Sequence, residues 1–158
     1  MAVFNPWDIE GDIDYQKMIE DFGLKPLGDL PSEFKQELLF HRRKIFAHRD
    51  FDRIIKAIKK KEKFVMMTGL MPTGRFHIGH MMLVEQMKFY QRLGAKLYIA
   101  GADVEAYNAR GQTLEESKEI AIEEYILNYI ALGLEPKNVT IYFQSERSKD
   151  AKEARSEE

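Results

Sequence analysis

The amino-acid sequence predicts an α/β fold in which a parallel sheet follows a mainly helical N-terminal segment. Short apolar runs of strand length recur in the second half of the chain, and amphipathic segments with helical spacing separate them. Glycine and proline residues mark the ends of these segments. Because parallel neighbours need a crossover connection, the alternation of strands and helices predicts that the strands pair in parallel.

The composition suits one globular domain. The chain has 158 residues, of which 44% are hydrophobic and 32% are charged. Cysteine is absent, which excludes disulfides and thiolate metal sites, and the four histidines suggest no metal cage. The sequence shows no signal-peptide pattern and no apolar run of membrane-spanning length, so a cytoplasmic location without a membrane partner is expected. The net charge of −2 predicts that this chain alone binds RNA weakly.

Residues 1–63 are predicted to form an N-terminal extension that contains a turn or short hairpin and several helices. Asp12 or Asp14 can cap a short helix that stops at Gly23. A second helix is expected near residues 32–39.

A third helix is predicted over residues 50–62, with Asp50 as its N-terminal cap. Its apolar residues recur at helical spacing and form one face. These residues are Phe51, Ile54, Ile55 and Ile58. The extension is therefore expected to be mainly helical up to the first strand of the sheet.

The apolar run Phe64–Met67 is typical of a short strand that is covered on both faces. Gly69, Pro72 and Gly74 then interrupt any regular pattern and predict a tight loop. A long amphipathic segment opens at His77. A strand that leads through such a loop to a helix N-terminus points backbone N–H groups and the positive end of the helix dipole at one place. This geometry suits a phosphate group.

The next helix is predicted over residues 80–93, ending at Gly94, and a second buried strand over residues 96–103. Thr113 and Glu116 have the spacing of a capping box that starts another helix. The residues expected to point inward from these two helices are Leu83, Val84, Met87, Tyr90 and Leu93 in the first and Ile122, Ile126, Tyr129 and Ile130 in the second.

The second of these helices is expected to end at Gly133, and residues 139–143 read as a third strand. The resulting βαβαβ unit is half of a Rossmann-like doubly wound sheet, and we assign it to residues 64–145. The charged residues 146–158 are expected to form a disordered tail. Ligands of such sheets bind beyond the carboxyl ends of the strands.

Asp103 and Glu105 are candidates for a binding site because they lie at the end of the second buried strand and just past it. A carboxylate in that position is unfavourable unless it is paired or hydrogen-bonded. The alternative is that both residues only cap the following turn. Tyr107 is equally consistent with a core position and with a site position.

The run Pro-Thr-Gly-Arg-Phe-His-Ile-Gly-His at residues 72–80 resembles the signature loop of class I aminoacyl-tRNA synthetases, with its His-Ile-Gly-His tetrapeptide intact. Pro-Trp-Asp at 6–8, Ile-Asp-Tyr at 13–15 and the run at 40–50 occur in the order typical of the N-terminal half of archaeal and eukaryotic tryptophanyl-tRNA synthetases. The alternative interpretation is that two histidines spaced three residues apart have only a structural role and cap a helix.

The resemblance implies that the parent protein activates tryptophan with ATP and transfers it to tRNA-Trp. It implies the class I (HUP-type) form of the Rossmann-like domain and a homodimeric enzyme. It also implies that ATP binds together with Mg²⁺ and that no dedicated set of protein ligands holds the Mg²⁺. The second signature of the class, Lys-Met-Ser-Lys-Ser, and the anticodon-binding domain are missing from the sequence. We therefore expect a fragment with little or no activity, whose tRNA contacts lie mostly elsewhere. A tyrosyl-type fragment and a stand-alone nucleotide-binding module are the alternatives.

The resemblance also implies roles for individual residues. His77 and His80 would be catalytic and would hydrogen-bond the phosphate chain of ATP, and Gly79 would pack against the adenine. The other residues implied to bind ATP are Thr68, Gly69, Pro72, Thr73 and Gly74.

The tryptophan side of the implied site includes Glu105, which would accept the indole N–H, together with Asp103 and Met67. Met67 stands where the eukaryotic relatives carry a tyrosine, so the wall of the indole pocket is expected to differ. Trp7 matches a flap that folds over the bound adenylate. A core position is the alternative for Trp7.

Overall fold

The structure, a computed structural model, describes residues 15–147. The chain divides into two compact units, one of which ends at Ile55 while the other begins at Lys56. Trp7 and the charged tail from residue 148 onward lie outside the described residues, as do Asp12 and Asp14. The assignment of residues 1–63, 64–145 and 146–158 to separate regions stays a prediction.

The first unit consists of short helices and one small antiparallel sheet. Its elements are helices α1 (Tyr15–Asp21), α2 (Ser32–Gln36) and α3 (Leu38–His41), strands β1 (Lys25–Pro26) and β2 (Ala47–His48), and the beginning of helix α4 (Phe51–Lys59). Phe34 is fully buried, and its ring lies edge-on to Phe40 at 5.2 Å and to Phe51 at 5.5 Å between centroids. This aromatic cluster forms the centre of the unit.

Two predictions for this unit are wrong in detail. The helix expected over residues 32–39 is interrupted at Glu37, whose backbone is extended, and it therefore becomes two short helices. Asp50 does not cap α4, because its backbone lies in the left-handed region with φ of 56°. The Nδ1 atom of His48 instead accepts a hydrogen bond from the backbone N–H of Phe51 at 3.1 Å.

The second unit contains a parallel sheet of β3 (Val65–Leu70), β4 (Lys96–Gly101) and β5 (Val139–Phe143) in that spatial order. Both pairings are parallel, with Val65 opposite Lys96 and Leu97 opposite Val139. Helix α5 (Ile78–Arg92) forms the first crossover. This arrangement confirms the predicted α/β class and the parallel sheet.

The core of this unit lies between α5 and the central strand. Val84 and Met87 of α5 are fully buried, as is Ile99 of β4. The expectation that the first strand is covered on both faces is wrong, since Val65 and Met67 are 60% and 62% exposed. β3 is the edge strand of the described sheet, and only the residues on alternate positions turn towards the helices.

The second crossover contains more helices than predicted. Asp103 begins helix α6 (Asp103–Arg110), so β4 ends two residues before the predicted limit. The capping box of Thr113 and Glu116 is confirmed at the start of helix α7 (Leu114–Ile120), with hydrogen bonds of 3.1 and 2.8 Å. A π-helical stretch, Ala121–Ile126, continues α7 into helix α8 (Leu127–Ala131).

The π-helical stretch changes which residues face inward. Ile122 and Ile130, predicted to be inward, are 47% and 62% exposed, whereas Tyr125 and Tyr129 are buried. A π-turn has i to i+5 hydrogen bonds and is wider than an α-turn, so the buried face departs from the 3.6-residue period. None of the helices between residues 15 and 147 is long and apolar enough to cross a membrane.

Candidate active site

The predicted ATP-binding residues lie along one continuous segment, from the end of β3 to the first turn of α5. Thr68 and Gly69 belong to the strand, and Pro72 is fully buried in the loop that follows it. The loop is tightened at Thr73, whose N–H donates to the carbonyl of Met71 at 2.9 Å. The segment therefore runs from the carboxyl end of a parallel strand to a helix N-terminus, as the sequence predicts.

His77 and His80 together cap the N-terminus of α5. His77 is the N-cap residue, and its Nδ1 accepts from the N–H of Gly79 at 3.2 Å. The Nδ1 of His80 accepts in return from the N–H of His77, also at 3.2 Å. The two rings are stacked, with centroids 3.7 Å apart. The Nδ1 atoms therefore cap the helix, as the alternative interpretation of the sequence predicts.

This capping arrangement also determines what the rings offer to a ligand. A neutral imidazole whose Nδ1 accepts a hydrogen bond carries its proton on Nε2. Each ring can then donate through Nε2–H while its Nδ1 serves the backbone. Capping and phosphate binding are compatible in this geometry because they use different ring atoms.

The local electrostatics keep His80 neutral. Burial lowers the pKa of His80 from its ordinary value, and the electrostatic interaction with His77 lowers it further. The positive end of the α5 dipole lies at the same place and opposes an added positive charge. His80 is therefore a neutral hydrogen-bond donor near pH 7.

The backbone at Gly79 lies close to the His77 ring. A Cβ atom at residue 79 would lie 3.0 Å from Cε1 and 3.1 Å from Nδ1 of His77. Gly79 is exposed, so its backbone is open to a ligand on the other side. By contrast, a Cβ atom at Gly74 would meet no described atom within 4 Å.

Two residues that the sequence analysis did not select support this loop. The Glu124 carboxylate accepts from the N–H of Phe76 at 3.4 Å, and the Tyr125 ring lies edge-on to His80 with centroids 4.9 Å apart. Both belong to the π-helical stretch. The 3.6-residue hydrophobic pattern of a regular helix could not have predicted that these two residues face the loop, because the π-turn determines their direction.

The residues predicted for the tryptophan side lie at the carboxyl ends of β4 and β5. Asp103 is fully buried, and its carboxylate accepts hydrogen bonds from the N–H of Val104 and from the N–H and hydroxyl of Ser145. Glu105 is exposed and accepts from Nε2 of Gln144 at 3.0 Å. Ser145 and Gln144, which the sequence analysis did not select, thus join the segment after β5 to α6.

The remaining predicted residues occupy separate positions. The exposed side chain of Met67 lies in the middle of β3, opposite Tyr98 of the neighbouring strand. Tyr107 is 55% exposed, which excludes its core alternative. Within residues 15–147, no group of three or more histidine, aspartate and glutamate side chains is placed to hold a metal ion.

Comparison with known proteins points to one family. A family model described as tRNA synthetases class I (W and Y) matches residues 59–154. The tryptophan–tRNA ligase of Methanocaldococcus jannaschii is 47% identical over 145 residues, which cover 91% of this chain and 39% of that protein. That of Thermoplasma acidophilum is 45% identical over 146 residues, covering 92% of this chain and 33% of that protein.

Solved structures agree with this similarity. The tryptophanyl-tRNA synthetase of Aeropyrum pernix K1 has a TM-score of 0.75 at 41% identity, covering 86% of this chain and 38% of that chain. The tryptophanyl-tRNA synthetase of Encephalitozoon cuniculi bound to tryptophan has a TM-score of 0.76 at 29% identity, covering 87% and 40%. The chain thus spans no more than about two fifths of these proteins.

Proposed function

The chain belongs to the class I tRNA synthetases (W and Y), and we propose that it takes part in the activation of tryptophan by ATP and its transfer to tRNA-Trp. The observation that carries the proposal is the pair of imidazoles at the N-terminus of α5, each with its Nε2–H available for a phosphate oxygen. The choice of tryptophan is supported by relatives of 40–47% identity that are tryptophan–tRNA ligases.

For ATP, whose use the family implies, the proposed position is above the loop from Thr68 to His80. The phosphate chain lies against the N-terminus of α5, where the helix dipole and the two Nε2–H donors favour negative charge. The adenine packs on the exposed backbone at Gly79. Mg²⁺ enters with the nucleotide. Charge stabilisation and positioning then account for catalysis, because formation of the adenylate needs no covalent step on the protein.

For tryptophan, the proposed position is beside Glu105, near the carboxyl ends of β4 and β5. Glu105 accepts the indole N–H, and its carboxylate is oriented by Gln144. Met67 contributes to the wall of the pocket. Asp103 supports this surface indirectly, because its buried carboxylate hydrogen-bonds Ser145 and so joins it to the start of α6. A pocket with such an acceptor discriminates against phenylalanine, whose binding would leave the acceptor unpaired.

The remaining features of the proposal follow from the same family membership. The activated tryptophan passes to tRNA-Trp, the working protein is a homodimer, and the reaction takes place in the cytoplasm. Trp7 is proposed as the flap over the adenylate. Because the chain spans 32–40% of the relatives' length, these features concern the whole protein rather than this segment alone.

Calorimetric titration with ATP and with each amino acid tests this proposal. The wild-type chain should bind ATP weakly, and His77→Ala and His80→Ala should weaken that binding about tenfold, while the control His41→Ala should not. Equal ATP binding by all four proteins would reject the imidazole pair as the nucleotide site. The family description includes tyrosine enzymes, so tighter binding of tyrosine than of tryptophan would favour the tyrosyl alternative.

A further inference from the structure

Tyr125 contacts the proposed ATP loop at two places that lie far apart along it. Its side chain is 2% exposed, and its ring lies edge-on to His80, with centroids 4.9 Å apart and an angle of 71° between the ring planes. Burial raises the pKa of Tyr125, and the backbone of Thr73 lies close enough to its hydroxyl to oppose part of this rise. One buried side chain therefore joins the beginning of the loop to the second imidazole.

Glu124 and Phe76 extend this contact to the residue before His77. The Glu124 carboxylate accepts from the N–H of Phe76 at 3.4 Å. The Phe76 ring lies edge-on against Tyr125 at 6.2 Å and against Tyr129 at 6.1 Å between centroids. The loop is thus held at its backbone and at its aromatic side chain by the same helix.

The π-helical stretch explains how adjacent residues can both face the loop. Its wider turn leaves some backbone carbonyls without the usual helical partner, and the side chain of Asn128 donates to the carbonyl of Glu124 at 2.6 Å. Tyr125 remains buried while Glu124 stays at the loop side of the helix. π-Turns of this kind occur frequently at functional sites, where they re-aim individual side chains.

We infer that Tyr125 is a positioning residue for nucleotide binding, which holds Thr73 and His80 at a constant separation and so keeps the two Nε2–H donors side by side. This inference rests on the proposed function of the loop. Tyr125 acts through His80 and does not touch the nucleotide itself. Glu124 supports it by fixing the backbone at Phe76.

Three variants of the full 158-residue chain separate this role from a general contribution to the core. Tyr125→Phe keeps the ring against His80 and removes only the hydroxyl that lies near the Thr73 backbone. Tyr125→Leu removes both contacts. The matched control is Tyr129→Phe, because Tyr129 is equally buried on the same helical run and contacts Phe76.

The first readout is the pKa of His80, measured by NMR titration without any ligand. Tyr125→Leu should raise the pKa of His80 towards its ordinary value, because the burial that lowers the pKa is reduced. Tyr125→Phe should move the Thr73 amide signal and leave the pKa of His80 low. Tyr129→Phe should change neither signal. The facing groups in this titration are His77, Tyr125 and Glu124.

The second readout is ATP affinity by calorimetry, with circular dichroism to monitor folding. Tyr125→Phe should weaken ATP binding about threefold to tenfold, and Tyr129→Phe should not weaken it. An absence of ATP binding in the wild type would reject the proposed function. The His80 titration needs no ligand, so it would still test whether Tyr125 positions His80. An unchanged His80 pKa in folded Tyr125→Leu overturns it. If Tyr125→Leu does not fold, an unmoved Thr73 signal in Tyr125→Phe overturns it.

Discussion

At the start of α5, Nδ1 of His80 accepts from the backbone N–H of His77, and Nδ1 of His77 accepts from the backbone N–H of Gly79, while the two rings stack with centroids 3.7 Å apart. In most capping boxes these two roles belong to a serine or threonine and a glutamate or glutamine. Imidazoles add a second nitrogen that remains available as a donor. They also make the cap sensitive to pH.

We predict that this cap weakens as the pH falls. The folded-state pKa of His80 is lowered, whereas the unfolded chain titrates at about 6.5. His80 therefore contributes stability that is complete above the unfolded pKa and is lost as the pH falls through the folded pKa. Urea unfolding at several pH values between about 7.5 and 5 measures this loss.

His80→Gln is the matched control for this prediction. Glutamine keeps a side-chain acceptor at the same capping-box position, and it does not titrate in this range. The variant should lose less stability than the wild type over the same pH interval. Identical losses in the two proteins would show that His80 is not responsible.

Gly79→Ala should impair nucleotide binding more than folding. The new Cβ would lie 3.0 Å from Cε1 of His77 and would displace that ring. Alanine is favoured over glycine in helices by about 1 kcal/mol, which offsets part of the strain in the fold. We expect ATP affinity to fall about tenfold in calorimetry while the unfolding free energy changes by less than about 1 kcal/mol. An unchanged ATP affinity in folded Gly79→Ala would contradict this prediction.

Asp103→Ala should destabilise the second unit. The fully buried carboxylate of Asp103 accepts from Val104 and twice from Ser145, and its removal leaves these donors without their acceptor. The expected cost is about 3 kcal/mol in urea unfolding. Asp29→Ala serves as the control, because the Asp29 side chain is 93% exposed in its pair with Lys35, and this variant should stay within about 0.5 kcal/mol of the wild type. A loss of unfolding free energy below about 1 kcal/mol for Asp103→Ala would contradict this structural role of Asp103.

Gly101→Ala should strain the contact between β4 and β5. A Cβ at residue 101 would lie 2.7 Å from Cδ1 and 2.9 Å from Cε1 of Phe143. Overpacking of this kind costs about 1–3 kcal/mol in thermal or urea unfolding. At Gly69 in the neighbouring strand, the nearest atom would be the Ala100 carbonyl oxygen at 3.6 Å, so Gly69→Ala should be better tolerated. The double variant Gly101→Ala/Phe143→Leu should recover part of the loss, and its failure to do so would place the strain elsewhere.

The order of strands and helices could be predicted from the sequence because hydrophobic periodicity is a local property. The apolar runs near Phe64 and Val139 and the stop at Gly94 appear in the structure close to the predicted places. The sequence-based predictions were wrong where a tertiary or side-chain interaction overrode the local sequence pattern. The His48 side chain caps α4 in place of Asp50, and the π-helical stretch turns Ile122 outward.

By itself, the sequence determined the α/β class, the parallel sheet and the loop that brings His77 and His80 to the start of a helix, since the local pattern of strands, helices and loops is enough to predict each of them. Only the tertiary structure decided that Tyr125 lies against His80 and that Asp103 is joined to Ser145, 42 positions away. Contacts of this range depend on how crossovers and strands pack, and side-chain spacing along the chain carries no record of them.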